Sequence, residues 1–338
     1  MEKVNFYDKY IRPFTHSKIF TLIVLYIVMV IVFSIWSVRV GNNFFKFTTF
    51  RNILNSLVLT SFLTIGAGFL LIGGHIDLSQ SAIGAFGGLV LAASIKGLGL
   101  PWYVGIILCL LLCAVFGALN ALLVTKYKFP AFIATLAMSL MARGAMYLFS
   151  SIGNKGLASH IAFQDDVIKF IGAGTIGPIP FGIIVMLIFF IVYGIILSKS
   201  GFGMKVTLIG GNPVAAHLAG INSTAITYIL FINSAVLGGI AGIFNTARLM
   251  QGSLIALQTN QFTGITAAVL GGISFGGGVG GMGGAFVGLL ILNTFQIGMG
   301  VVGVNPFWVN VFTGLLLLVA LALDFLSQMR ARKAHALP

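Results

Sequence analysis

The stretch from residue 53 to residue 95 decides the fold. It reads ILNSLVLTSFLTIGAGFLLI (53–72), then GGHIDLSQSA (73–82), then IGAFGGLVLAASI (83–95). Two apolar runs flank a polar break, and Asp77 is the only Asp, Glu, Lys or Arg in the whole stretch. A run of about 20 apolar residues can cross the hydrocarbon core of a bilayer as a helix. The stretch therefore predicts a membrane-spanning helix, an interruption at membrane depth and a shorter second helix.

The rest of the chain has the same character. Of its 338 residues, 58% are apolar and only 7% are charged, whereas about 25% are charged in ordinary soluble domains. This composition excludes soluble enzymes, disordered chains and disulfide scaffolds. The apolar runs are continuous, whereas the strands of an outer-membrane barrel alternate in polarity. The predicted class is an all-α, polytopic membrane protein.

About ten membrane spans are predicted, and two of them are short. The first run has no small-residue cleavage site after it, so it is interpreted as a signal anchor and not as a removed signal peptide. A transmembrane domain at 19–322 then lies between two tails, 1–18 and 323–338. The predicted spans are Ile19–Val38, Ile53–Ile72, Ile83–Ile95 (short), Trp102–Val124, Ala131–Ser150, Phe181–Leu197, Ile226–Thr246, Thr263–Gly272 (short), Gly283–Gly300 and Phe307–Ala322.

The charge of the chain predicts its orientation. The formal net charge is +13, but the cations are scattered through short loops and tails, without the basic stripe typical of nucleic-acid binding. The predicted partner of this surface is the lipid bilayer, and no nucleic acid is expected. More of the cations fall in the segments assigned to the inside when both tails are cytoplasmic, as the positive-inside rule requires.

The polar break carries three candidate residues for a translocation path or a helix break: His75, Asp77 and Ser79. A carboxylate at membrane depth is costly, so it serves either function or a structural cap. Asp77 or Ser79 can accept the free N–H groups of a helix starting near Gln80. Contact of Asp77 with substrate or pathway water is the alternative. His75 is interpreted as a polar residue at the break and not as a metal ligand, because no second His or Cys lies nearby in sequence.

Two further segments carry polar signals. Arg143 lies near the middle of a predicted span, where it either snorkels to a helix end or lines a polar cavity. Residues 203–221 contain a predicted short helix with signals at both ends. Asn212 suits the N-cap, Pro213 the first helical position and Gly220 the C-terminal stop. A helix of about seven residues needs a protein surface to rest on, so this segment is predicted to dock onto a partner.

The glycine-rich segment 271–288 is predicted to pack helices closely. Gly280, Gly284 and Gly288 recur every four residues and would form a flat groove. Gly276, Gly278 and Gly281 formally match a dinucleotide fingerprint, but no strand–helix–strand context surrounds them.

The chain has no Gly-Lys-Ser or Gly-Lys-Thr, and its two cysteines, Cys109 and Cys113, are interpreted as packing residues. We expect no catalytic site, no metal and no cofactor.

Four motifs, in this order, resemble the membrane permease subunit of bacterial ABC sugar importers. The resemblance is to the ribose/xylose/galactoside type, within the larger group that includes branched-chain amino-acid permeases. It runs from about Ile53 to Asp324. The motifs are His75-Ile-Asp-Leu-Ser79, Ala131-Phe-Ile-Ala-Thr-Leu136 with Arg143-Gly144, Leu208-Ile-Gly-Gly-Asn-Pro-Val-Ala-Ala216 with Leu218-Ala-Gly-Ile221, and Ala267-Ala-Val-Leu-Gly-Gly-Ile-Ser274.

The resemblance implies an assembly in the bacterial inner membrane. It contains two permease copies, two copies of a cytoplasmic ATPase and an extracytoplasmic solute-binding protein. It also implies that Asn212–Gly220 is the coupling helix seated on the ATPase. The residues assigned to it are Asn212, Pro213, Ala215, Ala216, Leu218 and Gly220.

The sequence departs from the family pattern at two places. Gln80-Ser81 follows Asp-Leu-Ser where relatives commonly have Val-Gly, and Phe262-Thr263-Gly264 lacks the acidic residue usual before the Ala-Ala-Val-Leu-Gly-Gly run. Both departures bear on the substrate. Two alternatives therefore stay open: a secondary transporter or channel for a small polar solute, and an ABC permease for amino acids, nucleosides or a signalling furanose.

Overall fold

The computed structural model describes residues 18–152, 156 and 158–335. Thirteen α-helices are present in this part of the chain. Their bounds are α1 Lys18–Arg39, α2 Phe47–Ile72, α3 Gln80–Lys96, α4 Trp102–Thr125, α5 Ala131–Ser150, α6 Asp166–Ala173, α7 Phe181–Lys199, α8 Gly201–Gly211, α9 Pro213–Leu218, α10 Ser223–Leu249, α11 Thr263–Leu270, α12 Met282–Val301 and α13 Pro306–His335.

Strands are few among the described residues. Strand β1 (His160–Ala162) pairs antiparallel with β4 (Gln251–Ser253), and β2 (Thr175–Ile176) forms a hairpin with β3 (Ile179–Pro180). A short 3₁₀ helix covers Gln258–Asn260. All of these elements connect helices at one end of the bundle.

Eight of the described helices are long and apolar enough to cross a membrane: α1, α2, α4, α5, α7, α10, α12 and α13. The two short predicted spans correspond to α3, with 17 residues, and to α11, with eight. The prediction of a polytopic helical membrane protein is therefore confirmed. Residues 1–17 of the predicted N-terminal tail lie outside the described residues, and Lys18 is the first residue of α1.

Two predicted boundaries differ most from the structure. Helix α2 begins at Phe47, six residues before the predicted start, because its first turns also include the polar residues Thr48, Thr49, Arg51 and Asn52. Helix α13 continues through the predicted C-terminal tail to His335. The apolar window marks where a helix crosses the membrane, and a helix continues beyond it wherever backbone hydrogen bonding continues.

The core of the bundle consists of α2, α3 and α10. Every residue of α3 from Gln80 to Ser94 is buried, and α10 packs along α2, α3 and α4. At the crossing of α3 and α10, a Cβ atom on Gly84 would overlap the carbonyl oxygen of Gly238, and one on Gly242 would overlap that of Gly84. Glycines four residues apart let two membrane helices approach to backbone contact.

The outer helices present apolar side chains to the surroundings. Helices α1 and α13 are largely exposed along their membrane-spanning parts, and their exposed residues are mostly Val, Ile, Leu and Phe. In water such a surface would be unstable, whereas in a bilayer it contacts acyl chains. The fold thus surrounds a core that contains buried polar side chains with a layer of exposed apolar side chains.

Candidate functional site

The break between α2 and α3 is built around the carboxylate of Asp77, which is only 4% exposed. One oxygen, Oδ1, accepts hydrogen bonds from the Ser79 N–H at 2.7 Å and the Ser79 hydroxyl at 2.5 Å. The other, Oδ2, accepts one from the Ser234 hydroxyl at 2.9 Å. Asp77 therefore ties the break to α10, the central helix.

The start of α3 has further polar contacts with its neighbours. The Asn120 side chain on α4 donates from Nδ2 to the Ser79 hydroxyl at 2.8 Å, and the Leu78 N–H donates to the Thr135 hydroxyl on α5 at 3.1 Å. Ser79 occupies the N-cap position without a capping bond from its side chain. Of the two capping candidates, Asp77 is the one that accepts a backbone N–H, from the residue just before α3.

His75 lies at the edge of a cavity of about 540 Å³. Its ring Nε2 is 3.3 Å from the Thr227 hydroxyl. Among the described residues, no group of three or more His, Cys, Asp and Glu side chains could hold a metal ion. The cavity is lined by residues from the break, from the end of α4 and from α8, α9 and α10, including Gly74, Thr125, Lys128, Gly211, Pro213 and Thr224.

Arg143 is half-buried in the second half of α5. Helix α5 packs against α3 and α4, and the neighbours of Arg143 that face away from them, Leu140 and Tyr147, are exposed. In the part of the chain that the structure describes, nothing is hydrogen-bonded or ion-paired to its guanidinium. A cation within a membrane-spanning helix needs a polar partner or water.

The predicted docking segment consists of two helices, α8 and α9. The Asn212 side chain accepts the Ala215 N–H at 2.9 Å, and Pro213 is the first residue of α9. At the other end, Ile221 N–H bonds to Ala216 C=O and Gly220 N–H to His217 C=O, with Gly220 at φ +73°. This is a Schellman C-cap, so both predicted ends of the helix match the structure.

The exposed face of α9 differs from the one expected. Val214 and Leu218 are 70% and 81% exposed, whereas Ala216 is 1% exposed. Ala216 was expected to contact a partner, and the structure corrects this: its side chain packs inside the chain. Ala215 remains exposed. A six-residue helix shows too little periodicity for the sequence to identify its buried face.

The two glycine-rich breaks meet at the end of α8. Gly278 N–H donates to the Ile72 carbonyl at 2.8 Å. A Cβ atom on Gly210 would overlap that same carbonyl, and one on Gly278 would overlap the backbone of Gly211. We name this contact the glycine junction: Ile72, Gly210, Gly211, Gly277 and Gly278. It joins the break after α2, the end of α8 and the loop between α11 and α12.

The glycines expected to form one groove divide between two elements. Gly284 and Gly288 lie on α12, where a Cβ atom would overlap the carbonyl oxygens of Gly271 and Ala267. Gly280 precedes α12, which begins at Met282, and its φ of +136° is outside the helical region. The groove therefore covers one turn fewer than expected, and it packs α12 against α11 within the same chain.

Comparison with known proteins identifies the family. The profile described as "Branched-chain amino acid transport system / permease component" matches residues 49–321. The chain belongs to this permease family. Among its relatives, the ribose import permease protein RbsC of Bacillus subtilis is 33% identical over 299 residues, which is 88% of this chain and 89% of the relative.

Two other relatives match over similar lengths. The fructose import permease protein FrcC of Rhizobium meliloti is 30% identical, over 93% of this permease and 87% of the relative. The L-arabinose transport system permease protein AraH of Escherichia coli is 29% identical, over 94% and 95%. No solved structure gives a significant match to the permease.

Sequence reasoning missed the partners that hold the break in this permease. Ser234, Asn120 and Thr135 lie on three helices that are far from the break in sequence. Asn120 gave a usable signal, because an amide within an apolar span commonly bonds across helices. A second polar cluster was also missed, in which the Asn293 side chain of α12 bonds Ser56 and Thr60 of α2.

Proposed function

We propose that this permease forms the membrane path of an ATP-binding cassette importer for a sugar of the ribose/xylose/galactoside class. An extracytoplasmic binding protein delivers the sugar, and a separate ATPase subunit supplies the energy. One observation carries the sugar class: relatives named as ribose, fructose and arabinose permeases match more than four-fifths of the chain.

The coupling role belongs to α9 in this proposal. Its exposed Val214 and Leu218 are four residues apart and share one face, which gives the ATPase a small apolar contact. Helix α8 ends just before α9, and its C-terminal end contacts both helix breaks through the glycine junction. Movement of α9 as a rigid unit would therefore reach the break that holds His75, Asp77 and Ser79.

The path itself is proposed to run along the open face of α5, between two permease copies. Arg143 supports this placement, because its half-buried guanidinium makes no polar contact with the described residues. A second copy or a water-filled path would provide the polar surroundings that acyl chains do not. Asp77 is proposed as a positioning residue for this path, since both of its carboxylate oxygens accept hydrogen bonds within the chain.

The proposed topology places both termini, α9 and the cavity beside His75 on the cytoplasmic side of a bacterial inner membrane. The β1–β4 pair, α6 and the β2–β3 hairpin then lie on the outer side, where the binding protein docks. The ATPase binds ATP through its own phosphate-binding loop, since the permease sequence has no Gly-Lys-Ser or Gly-Lys-Thr.

The test combines affinity purification in mild detergent with uptake in vesicles. We expect an ATPase subunit with a Walker motif and a second permease copy to co-purify. Vesicles that contain the complex should then take up a radiolabelled pentose or hexose when ATP is inside and the binding protein outside. ATP hydrolysis by the isolated permease, or uptake driven by an ion gradient without ATP, would contradict the proposal.

Amino-acid import is the second candidate, because the matching family is described by branched-chain amino-acid transport. Competition separates the two. An excess of unlabelled leucine should leave sugar uptake unchanged, whereas an excess of unlabelled sugar should abolish it. The opposite pattern would assign the amino-acid function to this permease.

A further inference from the structure

A cleft of about 430 Å³ opens at the outer end of α2, beneath the β2–β3 hairpin. Its walls come from the first two turns of α2, the hairpin and the first turn of α7. Among the residues that line it, only Arg51 and Thr175 have polar side chains. Its principal side chains are Phe47, Phe50, Leu54, Ile179 and Ile183.

The cleft is exposed to the surroundings of the bundle. Phe47 is 76% exposed and Phe50 is 59% exposed, whereas Ile183, at the inner end, is buried. Leu54 lies one turn further along α2 than Phe50, and Ile183 lies in the first turn of α7. The cleft therefore runs from the exposed rings of Phe47 and Phe50 inward to the buried Ile183.

Arg51 lies in the second turn of α2, and its side chain is exposed. It is four residues after the first residue of α2, which is about 6 Å along the helix axis. Side chains on a helix lean toward its N-terminus, so at this position Arg51 leans toward the membrane surface. The guanidinium has no hydrogen-bond or ion-pair partner among the described residues, and no carboxylate lines the cleft.

We propose that this cleft binds one phospholipid with an anionic headgroup. The phosphate is held by Arg51 and Thr175, and an acyl chain packs on Phe50, Leu54 and Ile183. A planar guanidinium suits bidentate contact with phosphate oxygens. The lipid joins α2, the hairpin and α7 at the end of the bundle opposite α9.

The test is retention of lipid by the purified, delipidated permease, measured by native mass spectrometry with added phosphatidylglycerol. Arg51→Gln should lower the retained phosphatidylglycerol by about fivefold to tenfold, as expected for loss of a charge-assisted contact. Arg39→Gln is the matched control, because Arg39 is also an exposed arginine at a helix end and does not line the cleft.

Three arms distinguish a built site from general lipid contact. Phosphatidylcholine also carries a phosphate, but its choline cation is repelled by the Arg51 guanidinium, so it should be retained less than phosphatidylglycerol. Excess inorganic phosphate should not displace the lipid because it lacks an acyl chain. Phe50→Ala should weaken retention of both lipids. Equal loss in Arg39→Gln, equal retention of both lipids by the unmodified permease, displacement by phosphate, or a permease dimer that occludes the cleft would each overturn the proposal. Gel filtration of each variant shows that the fold is intact.

Discussion

The two helix breaks, 73–79 and 271–281, are stabilised in different ways. The first is held by side chains: Asp77 accepts three hydrogen bonds, and Asn120 and Thr135 reach it from two other helices. The second is held mainly by backbone contacts that only glycine allows, including the glycine junction. A polar network tolerates isosteric change but fails when its acceptor is lost, whereas a backbone contact fails with almost any added side chain.

The largest effect is expected from Gly278→Val, which tests the backbone-held break. Gly278 has φ +72°, and a Cβ atom there would overlap Gly211. Strain and overpacking together should cost about 3 kcal/mol or more. We expect loss of monodisperse permease in detergent gel filtration. Gly281→Ala is the control, since Gly281 has open space around its Cα, and an equal loss there would remove the basis of the comparison.

Asp77→Leu should be the next most damaging change, and it tests the break held by side chains. It leaves one N–H and two hydroxyls without their acceptor, at a cost of about 2–4 kcal/mol in total. Asp77→Asn keeps an acceptor oxygen and should retain most of the thermal stability. If both variants reach the membrane, remain stable and lose uptake, the carboxylate charge acts in transport and Asp77 is more than a positioning residue.

A smaller effect is expected from Asp324→Ala, which tests a side-chain contribution to the second break. The Asp324 carboxylate on α13 accepts the Phe275 N–H at 2.9 Å and the Gln328 side-chain amide at 2.8 Å. Its loss should lower the free energy of unfolding by about 1–2 kcal/mol. Gln328→Ala, which keeps the carboxylate and the Phe275 bond, should cost less in the same thermal melt. An equal or larger cost would assign the support to Gln328.

The smallest change in stability is expected from Leu218→Glu, which leaves both breaks intact and tests their proposed connection to an ATPase. Leu218 is 81% exposed, so the melting temperature should stay within about 2 °C. ATPase co-purification and sugar uptake should nevertheless be lost. Ala216→Glu should instead lower the melting temperature of the permease itself, because Ala216 is buried. If Leu218→Glu retains ATPase and uptake, α9 is not the docking surface.

The sequence was sufficient for the spans and for the ends of α9. Long apolar runs locate membrane helices because few other structures satisfy the backbone in lipid, and the capping pattern at Asn212 and Gly220 is local. The partners of Asp77 were not predictable in the same way. Ser234 lies 157 residues away, and the sequence does not show which of many serines faces a given carboxylate.

The orientation of short elements was also beyond the sequence. Ala216 was expected to contact the ATPase, yet it is buried within the chain, because the contacts of α9 with α8 and α10 decide which of its faces is exposed. The glycine groove was expected at 280–288, whereas the crossing of α3 and α10 in the core also depends on glycines, at Gly84 and Gly242. Small residues predict close packing, but the choice of partner helix depends on the assembled bundle.

The crossing of α3 and α10 determines how the permease can move. At Gly84 and Gly242 the two backbones are in direct contact, so no side chain separates the helices at these positions. We therefore expect α3 and α10 to move together as one rigid unit. A push applied near α9 would then be delivered to the far end of α10, beside α6 and the β1–β4 pair, as a rotation and not as a local rearrangement.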